Sequence, residues 1–213
     1  MREVIIIDLG IGNLYSLKSA LEYLNYNPIL TEDIKIISKA SQIILPGDGA
    51  FKYAIDVMKK KKIYDVLKTF DYKNKKLLGI CLGMQLLLNS SQEFELSEGL
   101  GLIEGKNILL KKKSLENKKL DIPHINWRPL DINFQLKSDK ANIFKNIKKN
   151  DEFYFIHSFM AQTANKKHLV ATYDYGGNKV PAIIKKDLIY GFQFHPEKSA
   201  KPGLNLLNEF LKI

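Results

Sequence analysis

Residues 77–88 read L-L-G-I-C-L-G-M-Q-L-L-L and decide the fold. The apolar run that opens this stretch predicts a buried strand, and the apolar residues that close it predict a helix. Cys81 lies at the corner between them, with Gly79 and Gly83 on either side. Glycines allow the unusual backbone angles that a tight turn needs. A strand, a corner and a helix in this order are typical of an α/β fold with functional groups at strand ends.

Cys81 is the only cysteine in the chain, and its position predicts a nucleophile. The following helix offers unpaired N–H groups and the positive end of its dipole, which favour the thiolate over the thiol. G-x-C-x-G is the sulfur counterpart of the G-x-S-x-G elbow of hydrolases. A buried structural cysteine is the alternative, because cysteine is often buried. The cysteine and its glycines alone leave both interpretations open.

The bulk composition limits the class of protein. A length of 213 residues and a hydrophobic content of 45% fit one α/β domain with a substantial core. One cysteine excludes an intrachain disulfide and a multi-cysteine metal site. No ligand spacing indicates another metal site, so we expect neither metal nor cofactor. Asp8 ends the first apolar stretch and no apolar run could span a membrane, so we expect a cytoplasmic protein without a membrane partner.

The net charge of +10 raises the question of nucleic-acid binding. The basic runs at 59–62, 73–76 and 111–113 contain lysine but no arginine or aromatic residue. Binding surfaces for nucleic acids usually interleave such residues. We therefore interpret the lysines as solvated surface and expect no nucleic-acid partner.

Short apolar runs alternate with helical patterns in the first half of the chain. The predicted strands are 4–7, 43–45 and 77–80, and the predicted helices are 13–26, 51–70 and 83–88. The second half predicts short strands at 102–109, 130–136, 153–156, 169–173, 181–185 and 190–194, a lysine-rich surface excursion at 133–150 and a closing helix at 204–211. This order predicts one α/β domain over residues 1–213, with a mostly parallel central sheet and helices on both faces.

A second chemical motif, H-P-E at 195–197, follows an apolar strand near the C-terminus. In extended backbone, residues two apart point to the same side, and Pro196 restrains the chain between them. Functional residues of open α/β sheets gather at the carboxyl ends of strands. We therefore expect His195 to act as base for Cys81 and Glu197 to orient its imidazole. An isolated H-x-E would more simply be a strand-end histidine beside a surface carboxylate.

Two glycine-containing turns follow other predicted strands. D-L-G-I-G-N at 8–13 begins like a dinucleotide-binding turn, but Tyr15 occupies the position of the third glycine. L-P-G-D-G-A-F at 45–51 could present backbone N–H groups to an oxyanion beside the nucleophile. A plain strand-to-helix turn is the alternative there, because such turns also favour glycine.

Together, the Cys81 elbow and H-P-E resemble the class I, triad-type glutamine amidotransferases. Further motifs resemble the glutaminase subunit of imidazole glycerol phosphate synthase in particular. They are D-L-G-I-G-N-L-Y-S at 8–16, L-P-G-D-G-A-F at 45–51, G-L-G-L-I at 99–103, I-P-H-I-N-W at 122–127, Y-F-I-H-S-F at 154–159 and G-F-Q-F-H-P-E-K-S at 191–199. The resemblance covers residues 4–211, with the motifs in the family's order.

The resemblance implies a flavodoxin-like α/β fold and a glutaminase. Cys81 would attack the glutamine carboxamide, and His195, held by Glu197, would move the protons. The resemblance places oxyanion donors in the backbone of Leu82, Asp48 and Gly49. It assigns glutamine binding to Gln85, Glu93, Gly47, Gly49, His157, Ser158 and Phe159.

The resemblance also implies a partner. Ammonia would pass to a (β/α)8-barrel synthase subunit in a heterodimer, which forms imidazole glycerol phosphate and an aminoimidazole carboxamide ribotide in histidine biosynthesis. The glutaminase would be weak until that partner binds, and a peptide flip in the 47–49 turn is a candidate switch.

The chain departs from the family pattern at two places. Asp48 stands where the family usually has a small apolar residue, and 124–128 reads H-I-N-W-R where the family usually has H-x-G-W-N. An alternative therefore stays open: a paralogous subunit that supplies ammonia for amidination of a nucleotide-linked sugar in surface-glycan biosynthesis. A binding module that has lost catalysis, or a peptidase on a similar fold, would not require all of these motifs.

Overall fold

The structure is a computed structural model that describes residues 2–132 and 143–213. In chain order the elements of the first half are β1 (Glu3–Ile7), α1 (Leu14–Tyr23), β2 (Asn27–Thr31), α2 (Ile34–Lys39), β3 (Gln42–Leu45), α3 (Phe51–Lys60), α4 (Ile63–Thr69), β4 (Lys76–Ile80), α5 (Leu82–Leu86), β5 (Ser90–Ser91), β6 (Ser97–Glu98) and β7 (Gly105–Leu109). They are followed by β8 (His124–Pro129), β9 (Asp131–Ile132), β10 (Glu152–His157), β11 (Phe159–Thr163), β12 (Leu169–Tyr175), β13 (Asn178–Lys186), β14 (Ile189–Phe192) and α6 (Ala200–Lys212).

A mixed sheet in the order β2-β1-β3-β4-β14-β13-β12-β9 organises the fold. Its first five strands run parallel, and the last three are added antiparallel. β4 lies between β3 and β14, so the loops after these three strands meet at one edge of the sheet. Smaller sheets, β11-β7-β5-β6 and the β10-β8 ribbon, lie outside it.

Alternating side chains of the parallel strands build two separate cores. Val4 and Ile6 of β1 face a cluster that includes apolar residues of α1 and α6. Ile5 and Ile7 face the opposite cluster, which includes apolar residues of α2, α3, α4 and α5. The side-chain period of two in a strand therefore divides a continuous apolar run between both faces. The predicted α/β class, with a mostly parallel central sheet between helices, is confirmed.

The structure corrects several predicted elements in the first half. The predicted helix 51–70 is two helices, because Lys62 takes a left-handed conformation with φ 60° between α3 and α4. The predicted helix 13–26 ends earlier, and Asn25 has φ 62° after it. β2 and α2 were not predicted. β2 is an edge strand with only partly buried side chains, so its apolar pattern is weak.

The structure also corrects several predicted elements in the second half. The predicted strand 102–109 begins only at Gly105, and β8 and β11 were not predicted. The closing helix is longer than predicted and covers Ala200–Lys212. In the predicted surface excursion 133–150, residues 133–142 lie outside the described part, but Ile143 and Phe144 are buried in the core. The predicted strand 130–136 is described only as far as β9.

Among the described residues, no helix combines the length and the apolar character that a membrane crossing requires.

Candidate active site

Cys81 occupies a tight corner between β4 and α5. Its φ is 54°, a conformation that residues other than glycine seldom adopt and that is common at functional sites. Its neighbouring glycines serve close packing instead. A Cβ at Gly79 would overlap the backbone of Gly83, and a Cβ at Gly83 would overlap the carbonyl of Leu45. The unusual angle predicted for this elbow therefore falls on the cysteine itself.

The Cys81 thiol is nearly buried, with 8% of the residue exposed. Its backbone N–H donates to the carbonyl of Phe192 in β14 at 2.7 Å, which ties the elbow to the neighbouring strand. The Nε2 amide of Gln193 donates to Sγ at 3.7 Å. Gln193 was missed from the sequence, although a polar residue between Phe192 and Phe194 in a buried strand was a usable signal.

His195 and Glu197 form a buried pair just after β14. Nδ1 of His195 lies 2.8 Å from Oε1 of Glu197, and each side chain is only 5% exposed. Burial alone would lower the pKa of His195. The nearby Cys81 sulfur and the Glu197 carboxylate outweigh burial and raise that pKa to about 10. The site therefore favours the charged imidazolium form of His195.

A serine that was not predicted fixes this motif to β10. The Ser199 hydroxyl donates to the carbonyl of His195 at 2.6 Å and accepts the N–H of Tyr154 at 2.9 Å. The N–H of His195 donates to the carbonyl of Tyr154 at 3.0 Å. These three hydrogen bonds hold the backbone of His195 against the strand that borders the cleft.

The structure brings the predicted triad together and adds Asp48 to it. Sγ of Cys81, a ring nitrogen of His195 and a carboxylate oxygen of Asp48 all lie within 4.8 Å of one another. Oδ1 of Asp48 is 3.8 Å from Nε2 of His195. Nε2 itself is buried and makes no hydrogen bond. A carboxylate therefore faces the same ring nitrogen that faces the thiol.

A cleft of about 440 Å³ opens over Cys81. Its lining residues are Asp48, Gly49, Cys81, Leu82, Gln85, Glu93, Pro123, Ile156, His157, Ser158, Phe159 and Lys198. It therefore contains the residues predicted to bind glutamine, except Gly47, which lines a small cavity behind it. Pro123, Ile156 and Lys198 were not predicted. A larger cavity of about 620 Å³ beside Arg128 contains none of the predicted site residues among the residues that line it, so the smaller cleft is the candidate site.

Two further polar side chains, Gln85 and Glu93, line the cleft. Oε2 of Glu93 accepts the N–H of Phe51 at 2.6 Å, which places this carboxylate at the N-terminus of α3. Nε2 of Gln85 donates to the carbonyl of Phe159 at 3.1 Å and to Oε1 of Gln193 at 3.3 Å. The carboxylate suits an ammonium group, and the amide connects the cleft wall to Gln193 beside the thiol.

His157 is a neutral structural group. Its Nδ1 is 2.7 Å from the carbonyl of Phe159, and the Tyr173 hydroxyl is 2.8 Å from Nε2. Burial lowers the pKa of His157 to about 3, so Nδ1–H donates to the carbonyl and Nε2 accepts from the hydroxyl. These bonds fix the connection between β10 and β11, whose backbone lines the cleft. His157 therefore positions this backbone and does not transfer protons.

The predicted oxyanion donors are arranged as follows. The N–H of Leu82 donates to the carbonyl of Gly47 at 3.3 Å. Gly49, at the end of the same turn, has φ 96°. An oxyanion can receive the Leu82 N–H only when the Gly47 carbonyl turns away from it.

Comparisons with known proteins agree with this geometry. The family model "Glutamine amidotransferase class-I" matches residues 5–213. The chain is 38% identical over the full length of both chains to "Imidazole glycerol phosphate synthase subunit HisH 1" of Legionella pneumophila (strain Lens). It is 42% identical to "Imidazole glycerol phosphate synthase subunit HisH" of Caldanaerobacter subterraneus subsp. tengcongensis, covering 96% of this chain and 95% of the relative.

Solved structures share the fold at low sequence identity. One described as "Crystal structure of glutamine amidotransferase" has a TM-score of 0.73 at 16% identity, covering 98% of this chain and 97% of that one. "Structure of PurLQS from Thermotoga maritima" has a TM-score of 0.69 at 17% identity, covering 99% and 98%. The family match and the full-length relatives together show that this chain belongs to the class-I glutamine amidotransferase family.

Proposed function

We propose that this chain is the glutaminase subunit of imidazole glycerol phosphate synthase and acts in cytoplasmic histidine biosynthesis. The family match and the full-length relatives of that name support the assignment. The observation that carries the chemistry is the convergence of Cys81, His195 and Glu197 at the ends of adjacent strands. No cofactor takes part in the proposed reaction.

Hydrolysis proceeds through a thioester. The Cys81 thiolate attacks the carboxamide carbon of glutamine, and the imidazolium of His195 gives its proton to the leaving nitrogen, so that ammonia departs. His195 then takes a proton from water, whose oxygen attacks the thioester. Glutamate leaves and the thiolate is restored. Glu197 keeps the ring oriented through Nδ1 during both steps.

Substrate recognition follows from the polar groups of the cleft. The Glu93 carboxylate takes the α-amino group of glutamine, since a charged acceptor suits an ammonium. Gln85 and the backbone of 157–159 hold the rest of the amino-acid end. His157 contributes indirectly, because its two hydrogen bonds fix that backbone.

The oxyanion site has an inactive arrangement that suits control by a partner. In this conformation the Gly47 carbonyl accepts a hydrogen bond from the N–H of Leu82, so that N–H is not available to an oxyanion. A flip of the peptide after Gly47 releases that N–H, and binding of a partner is proposed to favour the flip. The bond is long at 3.3 Å, so its loss costs little.

The β10-β8 ribbon is the proposed docking surface for the (β/α)8-barrel synthase subunit. Ile125, Trp127 and Ile156 are 54%, 40% and 38% exposed, and the Trp127 ring packs on Tyr154 at 5.7 Å. Ile156 also lines the cleft, so the apolar surface begins at its rim. Ammonia released at Cys81 could then enter the synthase without crossing bulk water.

The relatives described above carry the name of imidazole glycerol phosphate synthase and do not favour the sugar-amidinating alternative. The test is glutamine hydrolysis by this chain with purified barrel synthase of the same organism, with and without the ribulosyl aminoimidazole substrate. We expect strong stimulation and formation of imidazole glycerol phosphate. Stimulation only by a synthase of a sugar-modification pathway would contradict the proposal. The Cys81→Ala variant is the control for contaminating glutaminase.

A further inference from the structure

We propose that Asp48, Cys81 and His195 form a Zn²⁺ site, and that the bound metal inhibits the enzyme. The site goes beyond the proposed glutaminase function, because it uses the same side chains as metal ligands. Thiolate sulfur, imidazole nitrogen and carboxylate oxygen are the three ligand types that zinc takes in proteins. Among the described residues, this is a group in which all three types converge.

The distances suit one tetrahedral ion. The three candidate ligand atoms lie within 4.8 Å of one another, and Oδ1 of Asp48 is 3.8 Å from Nε2 of His195. From usual zinc–ligand bond lengths, a tetrahedral ion holds such a nitrogen and oxygen about 3.4 Å apart. A small rotation of the Asp48 side chain closes the difference. The Asp48 side chain is 44% exposed, and the N–H of Asn13 holds only Oδ2, so Oδ1 can make this movement.

The ring nitrogen of His195 points into the site without a partner. His195 is 4% exposed, and its buried Nε2 makes no hydrogen bond. A buried polar nitrogen without a partner is costly, and a metal ion would satisfy it. Zinc would replace the proton on this nitrogen, since the neutral ring is the form that binds zinc through this atom.

The groups behind the ligands already have the arrangement of a metal site. Histidines that bind metal usually donate their other ring N–H to a carboxylate, as Nδ1 does here to Glu197 at 2.8 Å. The N–H of Asn13 donates to Oδ2 of Asp48 at 3.2 Å, which leaves Oδ1 for the ion. The Gln193 amide donates to Sγ of Cys81.

The position of the ion explains why it would inhibit. Zinc would hold both the nucleophile and the base of the proposed reaction, and its fourth position would face the glutamine cleft that Asp48 and Cys81 line. Without Asp48 the site would keep only two protein ligands. Asp48 therefore determines whether this active site binds zinc tightly.

The test is a titration of the purified chain with CoCl₂ in the absence of glutamine, followed by displacement with ZnCl₂. Thiolate ligation of cobalt gives a near-ultraviolet charge-transfer band. We expect the band in the wild type and in the matched control Asp65→Asn, which removes an exposed aspartate from α4. Cys81→Ala should lose the band. Asp48→Asn should weaken zinc affinity by about tenfold or more, since it removes a ligand.

Two results would overturn the proposal: the absence of a band in the folded wild type, or equal zinc affinity in Asp48→Asn and wild type. Circular dichroism and thermal melting of each variant verify that a variant without the cobalt band is still folded. The cobalt titration needs no turnover, so a negative titration leaves the glutaminase proposal intact. Conversely, a chain without glutaminase activity can still bind cobalt. Inhibition of glutamine hydrolysis by ZnCl₂, weaker in Asp48→Asn, is the second readout.

Discussion

Nδ1 of His195 lies 2.8 Å from Oε1 of Glu197, although both side chains are only 5% exposed. The Cys81 sulfur on one side and the Glu197 carboxylate on the other hold the His195 ring in its charged form, against the effect of burial. The charge of the ring therefore depends on both neighbours. Substituting each of the three residues in turn should reduce catalysis by a different amount, and these differences distinguish their roles.

The first prediction compares the loss of kcat in two variants, His195→Asn and Glu197→Gln. His195→Asn removes the group that is proposed to move the protons, and kcat for glutamine should fall by about 10²–10⁴-fold. Glu197→Gln keeps an acceptor oxygen beside Nδ1 but removes the charge, so the loss of kcat should be smaller. Steady-state glutaminase assays in the presence of the synthase measure both. A larger loss in Glu197→Gln than in His195→Asn would reverse the assigned roles.

Cys81→Ala should abolish glutamine hydrolysis and leave the affinity for the synthase unchanged. The side chain lies at the wall of the cleft and in one of the two cores, but alanine removes only its sulfur atom, so the fold should be kept. The assay is ammonia release, with synthase binding measured by calorimetry. Measurable turnover in this variant, above that of a mock purification, would rule out Cys81 as the nucleophile.

The sequence located the proposed catalytic residues because strand ends are local features. Cys81 follows one apolar run and His195 another, and the parallel pairing of β4 with β14 brings the two ends side by side. The contact of Asp48 with His195 was not predictable, because it joins loops that are distant in the chain. The same holds for the hydrogen bond from Leu82 to Gly47.

The missed elements have related causes. The predicted helix 51–70 breaks at Lys62, a residue type that carries no turn signal, although the apolar residues of α3 and α4 lie in the same core. The β10-β8 ribbon was only half predicted, because the side chains of β8 are mostly exposed and lack an alternating pattern.

Protein stability should depend on the charge of His195. Its folded pKa, about 10, lies above the ordinary value of 6.5, so its charged form is stabilised in the folded state. The contribution is complete below pH about 6.5 and is lost as the pH rises through about 10. The excess free energy of unfolding of wild type over His195→Asn should therefore shrink across this range. Denaturant unfolding at several pH values measures it, with His168→Asn as the control; a constant difference would contradict the raised pKa.

Glu93→Gln should raise KM for glutamine by about 10–100-fold, because the ammonium loses a charged acceptor. The amide oxygen can still accept the N–H of Phe51, so the start of α3 should remain folded. Glu95→Gln is the matched control, since Glu95 is a neighbouring carboxylate that is 61% exposed. A change in kcat alone, with KM as in wild type, would place Glu93 outside the glutamine site.

Trp127→Ala should weaken the stimulation of glutamine hydrolysis by the synthase without weakening glutamine binding. The ring is 40% exposed on the β10-β8 ribbon and packs on Tyr154, whose carbonyl accepts the N–H of His195. An aromatic residue at the centre of an interface often contributes 2 kcal/mol or more, so stimulation by the synthase should fall by about tenfold or more. KM for glutamine should not change, since Trp127 does not line the cleft. Tyr23→Ala, at the far end of α1, is the exposed-aromatic control. If synthase affinity and stimulation were both unaffected in Trp127→Ala, the synthase would have to dock elsewhere than on this ribbon.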